Sequence, residues 1–352
     1  MTKRVALIAG ATGAASRRLV DVLLADPNWT VLGISRRAPA ERRERFVHVA
    51  ADLLDGASLA SKGTEIGAVT HTFYTSRGPF KEGGVEDVPG NVAMLRHLVD
   101  ALEAHAPNLE HIHLVEGTKW YGMHLGPTVS PHREDAPRHL PPNFYYDQQD
   151  LLAAHQAGKR WTWSASRPEF IYDYAPERAR NVVSLIGVWA AICRELGTDL
   201  DFPGKPGCFS ALTEMTDATL LARAMVHLST SPKAANQAFN VTDGDHFRWQ
   251  HFWPRIAAHF GMRPGIVRPM PLATWMADKG PVWQRIAEKH GLKASPIADP
   301  SIWSFGDFLW RQDGDLLSSI VKIRQTGFGE AIDTEANILA QLTRYREARL
   351  LP

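Results

Sequence analysis

"RVALIAGATGAAS", residues 4–16, is the stretch that decides the fold. It opens with a short apolar run, far below the length that crosses a bilayer, and the run breaks at Gly10. Such a segment reads as a buried strand. "SRRLVDVLLADP" (16–27) follows, placing Leu19, Val20, Leu23 and Leu24 on one helical face before Pro27 stops the helix. Between the two, Gly10, Thr12, Gly13 and Ala14 form a Gly-x-x-Gly turn opening a helix. There, unpaired backbone N–H groups and the helix dipole favour a pyrophosphate. Ser16 stands where a third glycine is usual, and it is small enough for close packing.

The same alternation runs on. "TVLGISR" (30–36), "FVHVAAD" (46–52), "VTHTFYTS" (69–76), "EHIHLVEG" (110–117) and "WTWSASRP" (161–168) read as strands. "NVAMLRHLVDALEAHA" (91–106) reads as an amphipathic helix, and another helix starts near Phe144. Repeated strand–helix–strand order predicts an α/β fold: a Rossmann-type, doubly wound parallel sheet with helices on both faces. Beyond residue 170 the pattern becomes mainly helical, as in 181–196, 217–228 and 248–260. The expected division is a nucleotide-binding domain over 1–170 and a smaller substrate-binding region over 171–352. "AFNVTDGD" (238–245) should return to the sheet. Six late tryptophans, Trp249, Trp253, Trp275, Trp283, Trp303 and Trp310, either pack a helical core or wall an apolar pocket.

Composition narrows the function classes. With 39 basic and 38 acidic residues the net charge is +1, which gives no reason to expect nucleic acid or an anionic membrane as a partner. The basic run "RRAPAERRER" (36–45) is broken by glutamates and reads mostly as a solvated loop. Hydrophobic content of 44% and charged content of 22% are those of a globular chain. Two cysteines, Cys193 and Cys208, make neither a disulfide framework nor a metal cluster, and a reducing cytoplasm is expected.

The second strand selects the dinucleotide. A carboxylate there would hold ribose hydroxyls but repel a 2′-phosphate. The chain has Ser35, Arg36 and Arg37, a hydroxyl and two guanidinium groups suited to phosphate, so NADP(H) is the expected cofactor. Asp52, with Leu53, is placed to reach the adenine; Thr75 and Ser76 should pass the ribose and nicotinamide.

"NFYYDQQD" (143–150) poses the chemical question. A tyrosine at a helix start can donate into charge developing on a carbonyl oxygen, but a phenol with a pKa near 10 works best beside a cation. One turn after Tyr146 stands Asp150, and one turn after Tyr145 stands Gln149. The search for that cation leads to Lys119 in "EGTKWYG" (116–122), at the end of the strand expected beside the first. His111 and His113 share a strand face without a third ligand in pattern. No Gly-x-Ser-x-Gly elbow is present to support a hydrolase.

These segments resemble the short-chain dehydrogenase/reductase superfamily, and within it the progesterone 5β-reductase/iridoid synthase-like family. The matching stretches run nearly end to end: "GATGAAS", "GISRR", "VTHTFYTS", "NVAML", "EGTKWYG", "PPNFYYDQQD", "WSASRPEFI", "CRELGTDLDFPG", "AFNVTDGDHFRWQHFWPRIAAHFG" and "IRQTGF". The resemblance implies NADPH-dependent 1,4-reduction of an enone or enal, with Lys119 and a tyrosine of the Asn-Phe-Tyr-Tyr segment stabilising the enolate. Tyr146 is the expected tyrosine, and a cofactor contact, because it sets Asp150 in the superfamily's usual lysine position. Trp120 after the lysine, the late Gly126-Pro127, Gln149 and Ser16 depart from the family pattern. The expected substrate is a small hydrophobic carbonyl compound, and a homodimer stays open. Two alternatives remain: a carbonyl reductase or sugar-nucleotide epimerase of the same superfamily, or a non-catalytic NADP(H)-binding redox sensor.

Overall fold

The computed structural model describes residues 3–38, 42–78, 81 and 85–352, with the backbone alone at Ala14; residues 39–41 of the basic run lie outside them. Seven strands pair in parallel: β1 (Arg4–Ala9), β2 (Trp29–Ser35), β3 (Phe46–Ala50), β4 (His71–Tyr74), β5 (His111–Val115), β6 (Thr162–Pro168) and β7 (Gln237–Val241). Their spatial order is β7-β6-β5-β4-β1-β2-β3. The order reverses at β1, which lies between β2 and β4, so β5 pairs with β4 and β6 and not, as expected, with the first strand, and a crevice opens at the carboxyl ends of β1 and β4.

The continuous apolar run of β1 follows from burial on both faces. Ala6 and Ile8 join a core with Leu19, Val20 and Leu23 of α1 (Ala14–Ala25). Leu7 and Ala9 point the other way, into a core shared with Leu95, Leu98 and Leu102 of α2 (Val88–His105) and Leu152 of α3 (Phe144–Gln156). Leu19 and Leu23 are wholly buried, and each such side chain contributes about 1.5–3 kcal/mol before the entropic cost of ordering it.

Element ends differ from the sequence reading for local reasons. Helix α2 begins at Val88, not at residue 91, because the Asp87 side chain accepts from Gly90 N and Pro89 sits in the first turn. Strand β5 ends at Val115, and Thr118–Tyr121 forms a 3-10 turn closed by Gly122 at φ +84°. Strand β7 stops at Val241, short of residue 245, and Gly244 turns the chain at φ +77°.

The C-terminal region builds a third core around α4 (Val182–Glu195). Trp249, Trp253 and Trp310 meet one another with ring centroids 5.7–6.0 Å apart. Trp253 Nε1 donates to Leu200 O at 2.9 Å, and Trp303 is buried in the same core. These four pack a helical core; Trp275 is exposed and Trp283 lies at the core's edge. Among the described residues no helix is long and apolar enough to cross a membrane.

Candidate active site

A groove of about 820 Å³ follows the carboxyl ends of β1 to β4. Its floor is the glycine turn. Gly10 has φ +84°, and a Cβ there would sit 2.7 Å from Ser76 Oγ. A Cβ on Gly13 would press to 3.0 Å on Gly10 O and Ser16 Oγ. The Ser16 hydroxyl lies 2.7 Å from Gly10 O and 2.6 Å from Thr75 Oγ1, so it ties the turn to the end of β4. A backbone cradle at a helix start fits a dinucleotide pyrophosphate.

Thr12, Ser35, Arg36 and Arg37 line the groove, as do Asp52, Leu53, Thr75 and Ser76. Ser35 Oγ donates to Arg37 O at 2.7 Å, and Arg36 and Arg37 are exposed at the groove's outer end. Asp52 accepts from Leu54 N at 3.0 Å. Ala14 opens α1, and Tyr146 is not part of the lining.

Helix α3 presents its two tyrosines to different surroundings. The Tyr146 hydroxyl donates to Trp120 O at 2.5 Å and accepts from His139 N at 3.1 Å. Its ring meets Trp120 edge-on at 4.6 Å and lies under the Arg138 guanidinium. Arg138 is itself paired with Asp150 at 2.6 Å, which holds that carboxyl below its usual range. Tyr146 is therefore engaged in packing, and its hydroxyl has no spare hydrogen to offer a substrate.

Tyr145 instead faces the end of β5. Its hydroxyl lies against Gly117, where a Cβ would be in ordinary contact with it at 3.4 Å. That hydroxyl makes no hydrogen bond among the described residues. Burial pushes its pKa up, and the charges of Arg77 and Glu86 act on it. Of the two tyrosines, Tyr145 has the hydroxyl that no described residue engages, and Asp150, one turn after Tyr146, pairs with Arg138.

Lys119 stands in the 3-10 turn, with Nζ 2.7 Å from Glu86 Oε1. Arg77 pairs with the same oxygen at 2.9 Å. Burial lowers the Lys119 pKa, and the Glu86 carboxylate opposes the shift. The lysine turn is held from α3: the Asn143 side chain accepts from Tyr145 N at 3.1 Å and donates to Lys119 O at 2.9 Å. Sequence reasoning missed Glu86, Arg77 and Asn143. Asn143 alone left a signal, as an N-cap residue before a helix.

Behind the turn, Arg167 of β6 is almost wholly buried. It donates to Glu116 Oε2 at 2.8 Å, Tyr121 OH at 3.1 Å and Gln149 Oε1 at 3.2 Å, and stacks on Trp120 at 3.7 Å. Burial raises the Glu116 pKa, with Arg167 opposing. His111 and His113 form a buried ladder with Thr162, Ser164 and Ser166. Burial drives the His113 pKa down to about 3, so its ring stays neutral.

A family model described as a PRISE-like Rossmann-fold domain matches residues 46–352. The chain is 32% identical to a short chain dehydrogenase of Penicillium aethiopicum over 99% of both chains. It is 32% identical to an (S)-8-oxocitronellyl enol synthase of Nepeta racemosa, over 99% of this chain and 93% of that one. Identity to the 3-oxo-Delta(4,5)-steroid 5-beta-reductase of Arabidopsis thaliana is 31%, again over 99% and 93%. Among solved structures, a short-chain dehydrogenase/reductase superfamily protein from Agrobacterium tumefaciens with bound NAD gives a TM-score of 0.69 at 19% identity, covering 99% of this chain and 98% of that one. A UDP-glucuronic acid 4-epimerase from Bacillus cereus in complex with NAD gives 0.66 at 13%, covering 97% and 99%. Likeness at such identity concerns the fold alone.

Proposed function

The chain belongs to the PRISE-like Rossmann-fold family, and on that footing we propose that it is an NADPH-dependent reductase of carbon–carbon double bonds conjugated to a carbonyl. One observation carries the reading: the Tyr145 phenol stands against Gly117, two residues before Lys119, and Lys119 shares the Glu86 carboxylate with Arg77, which lines the groove next to Ser76. The relatives' names, an enol synthase and a steroid 5-beta-reductase, accord with it.

Gly10, Thr12 and Gly13 would hold the pyrophosphate, and Arg36 and Arg37 a 2′-phosphate. When bound, the nicotinamide supplies hydride to the β-carbon. Tyr145 donates its hydrogen bond to the carbonyl oxygen as negative charge grows there, the role of an oxyanion hole. Lys119 places positive charge near that oxygen, and the Glu86 carboxylate opposes the lowering of its pKa by burial. Asn143 fixes the spacing of the two groups, so little reorganisation is needed when the charge develops.

The test is direct. Purified protein should oxidise NADPH with an enone such as benzalacetone and not with the matching saturated ketone; equal or greater activity on the saturated ketone would overturn the reading.

A further inference from the structure

The reductase reading accounts for Lys119, but not for a second cation packed on the same aromatic ring. Lys119 Nζ lies 5.7 Å from the ring centre of Phe308, and Arg311 Cζ lies 4.8 Å from it. Arg311 makes one hydrogen bond, to His124 O at 2.6 Å, and no ion pair among the described residues. A guanidinium has five N–H donors in a rigid fork, so four remain for a ligand.

The surroundings suit an anion joined to an apolar body. Arg311 borders a cavity of about 250 Å³ with Met123, His124 and Leu125. Arg311 also lines a hollow of about 400 Å³ that includes Met270, Leu272, Trp310 and Asp307, whose carboxylate accepts from Leu272 N and Ala273 N. The carboxylate in the first cavity, Asp313, is spoken for by Lys205 at 3.6 Å. His124 is kept neutral, at about 4, by burial and by the positive charges of Lys119 and Arg311, and its buried Nδ1 has no partner. The ring of Phe170 meets that of Phe308 at 5.7 Å, which extends the apolar wall.

We propose that the substrate is an enone or enal carrying a carboxylate, bound by Arg311 while its carbonyl meets Tyr145 and Lys119. The proposal rests on the reductase reading of the same site. It replaces a purely hydrophobic substrate by one with an apolar middle lying along Phe308 and an anionic far end. Both cations lie against one ring, so a molecule the length of a substituted benzene reaches both. A carboxylate on the guanidinium fork forms paired, charge-assisted hydrogen bonds.

Two matched probes decide it: 4-(3-oxobut-1-enyl)benzoate and its carboxamide. The acid should be reduced with about tenfold higher kcat/KM, the scale of one charge-assisted contact. The advantage should shrink with added salt. In Arg311→Gln the acid-to-amide ratio should fall to about one while KM for NADPH holds. Equal rates on the two probes in the unmodified protein would overturn the proposal and leave the reductase reading standing. A rise in KM for NADPH without loss of the ratio would assign Arg311 to the cofactor and overturn it equally.

If neither probe is reduced, the reductase reading fails, and binding decides the anion site separately. Calorimetry of NADP⁺-loaded protein with the saturated acid, 4-(3-oxobutyl)benzoate, against its amide should show the same tenfold preference, lost in Arg311→Gln. Equal binding of acid and amide sinks the proposal.

Discussion

Asn143 fastens the tyrosine helix to the lysine turn: its side chain donates to Lys119 O at 2.9 Å and accepts from Tyr145 N at 3.1 Å. A helix cap and an active-site brace are thus one residue. Asn143→Ala removes both bonds. Loss of the cap costs about 1 kcal/mol, a fall in Tm of roughly 1–2 °C for a chain of this size. Turnover should fall more than that stability loss explains, and Asn143→Asp, which keeps the cap but not the donor, should restore Tm and not kcat. Restoration of both would reduce Asn143 to a cap.

The two tyrosines separate cleanly. Tyr145→Phe should lower kcat on an enone by about 10²–10³, the scale of a lost oxyanion donor, while NADPH still binds. Tyr146→Phe deletes the hydroxyl held by Trp120 O and His139 N and should cost stability more than rate. Steady-state kinetics with a fluorescence titration of NADPH reads both. The opposite pattern would return the reaction to Tyr146.

Arg36 tests the cofactor. Its guanidinium lies exposed on the groove, and Arg36→Ala should raise KM for NADPH about tenfold or more with little change for NADH. Equal losses would detach it from the 2′-phosphate.

Arg167 and Glu116 form a buried pair at 2.8 Å. Arg167→Met strands a carboxyl and should destabilise the fold by about 3–5 kcal/mol. Adding Glu116→Leu should recover a large part, as read by urea denaturation. A double variant no better than the single would show that Arg167 works through Trp120 and Tyr121 instead.

Two wholly buried carboxyls set an alkaline limit on stability. Burial pushes Glu169 and Glu214 up to about 8, and His246 Nδ1 stands 3.6 Å from Glu214. A carboxyl raised in the folded state contributes full stability below its unfolded pKa, near 4.5, and loses it as pH climbs through about 8. Glu214→Gln removes that cost, so its gain in Tm over the unmodified protein should be larger at pH 8.5 than at pH 5. A gain independent of pH would mean that Glu214 is ionised in the fold or never strained.

The sequence by itself determined the parallel α/β sheet, because strand β1 is apolar on both faces and α1 on one, and those periods admit one packing. It also determined the glycine turn and the presence of Ser35, Arg36 and Arg37 beside it, since those residues lie close along the chain. That Lys119 follows closely on a strand end was legible too, since both lie in one short stretch of chain. Which tyrosine hydroxyl is engaged in packing was decided only by the tertiary structure. Adjacent helix residues point about 100° apart, and the choice between Tyr145 and Tyr146 depends on where Trp120, Arg138 and Gly117 stand. Glu86 and Arg311 come from chain segments distant from Lys119, and their charges meet it only once the chain is folded.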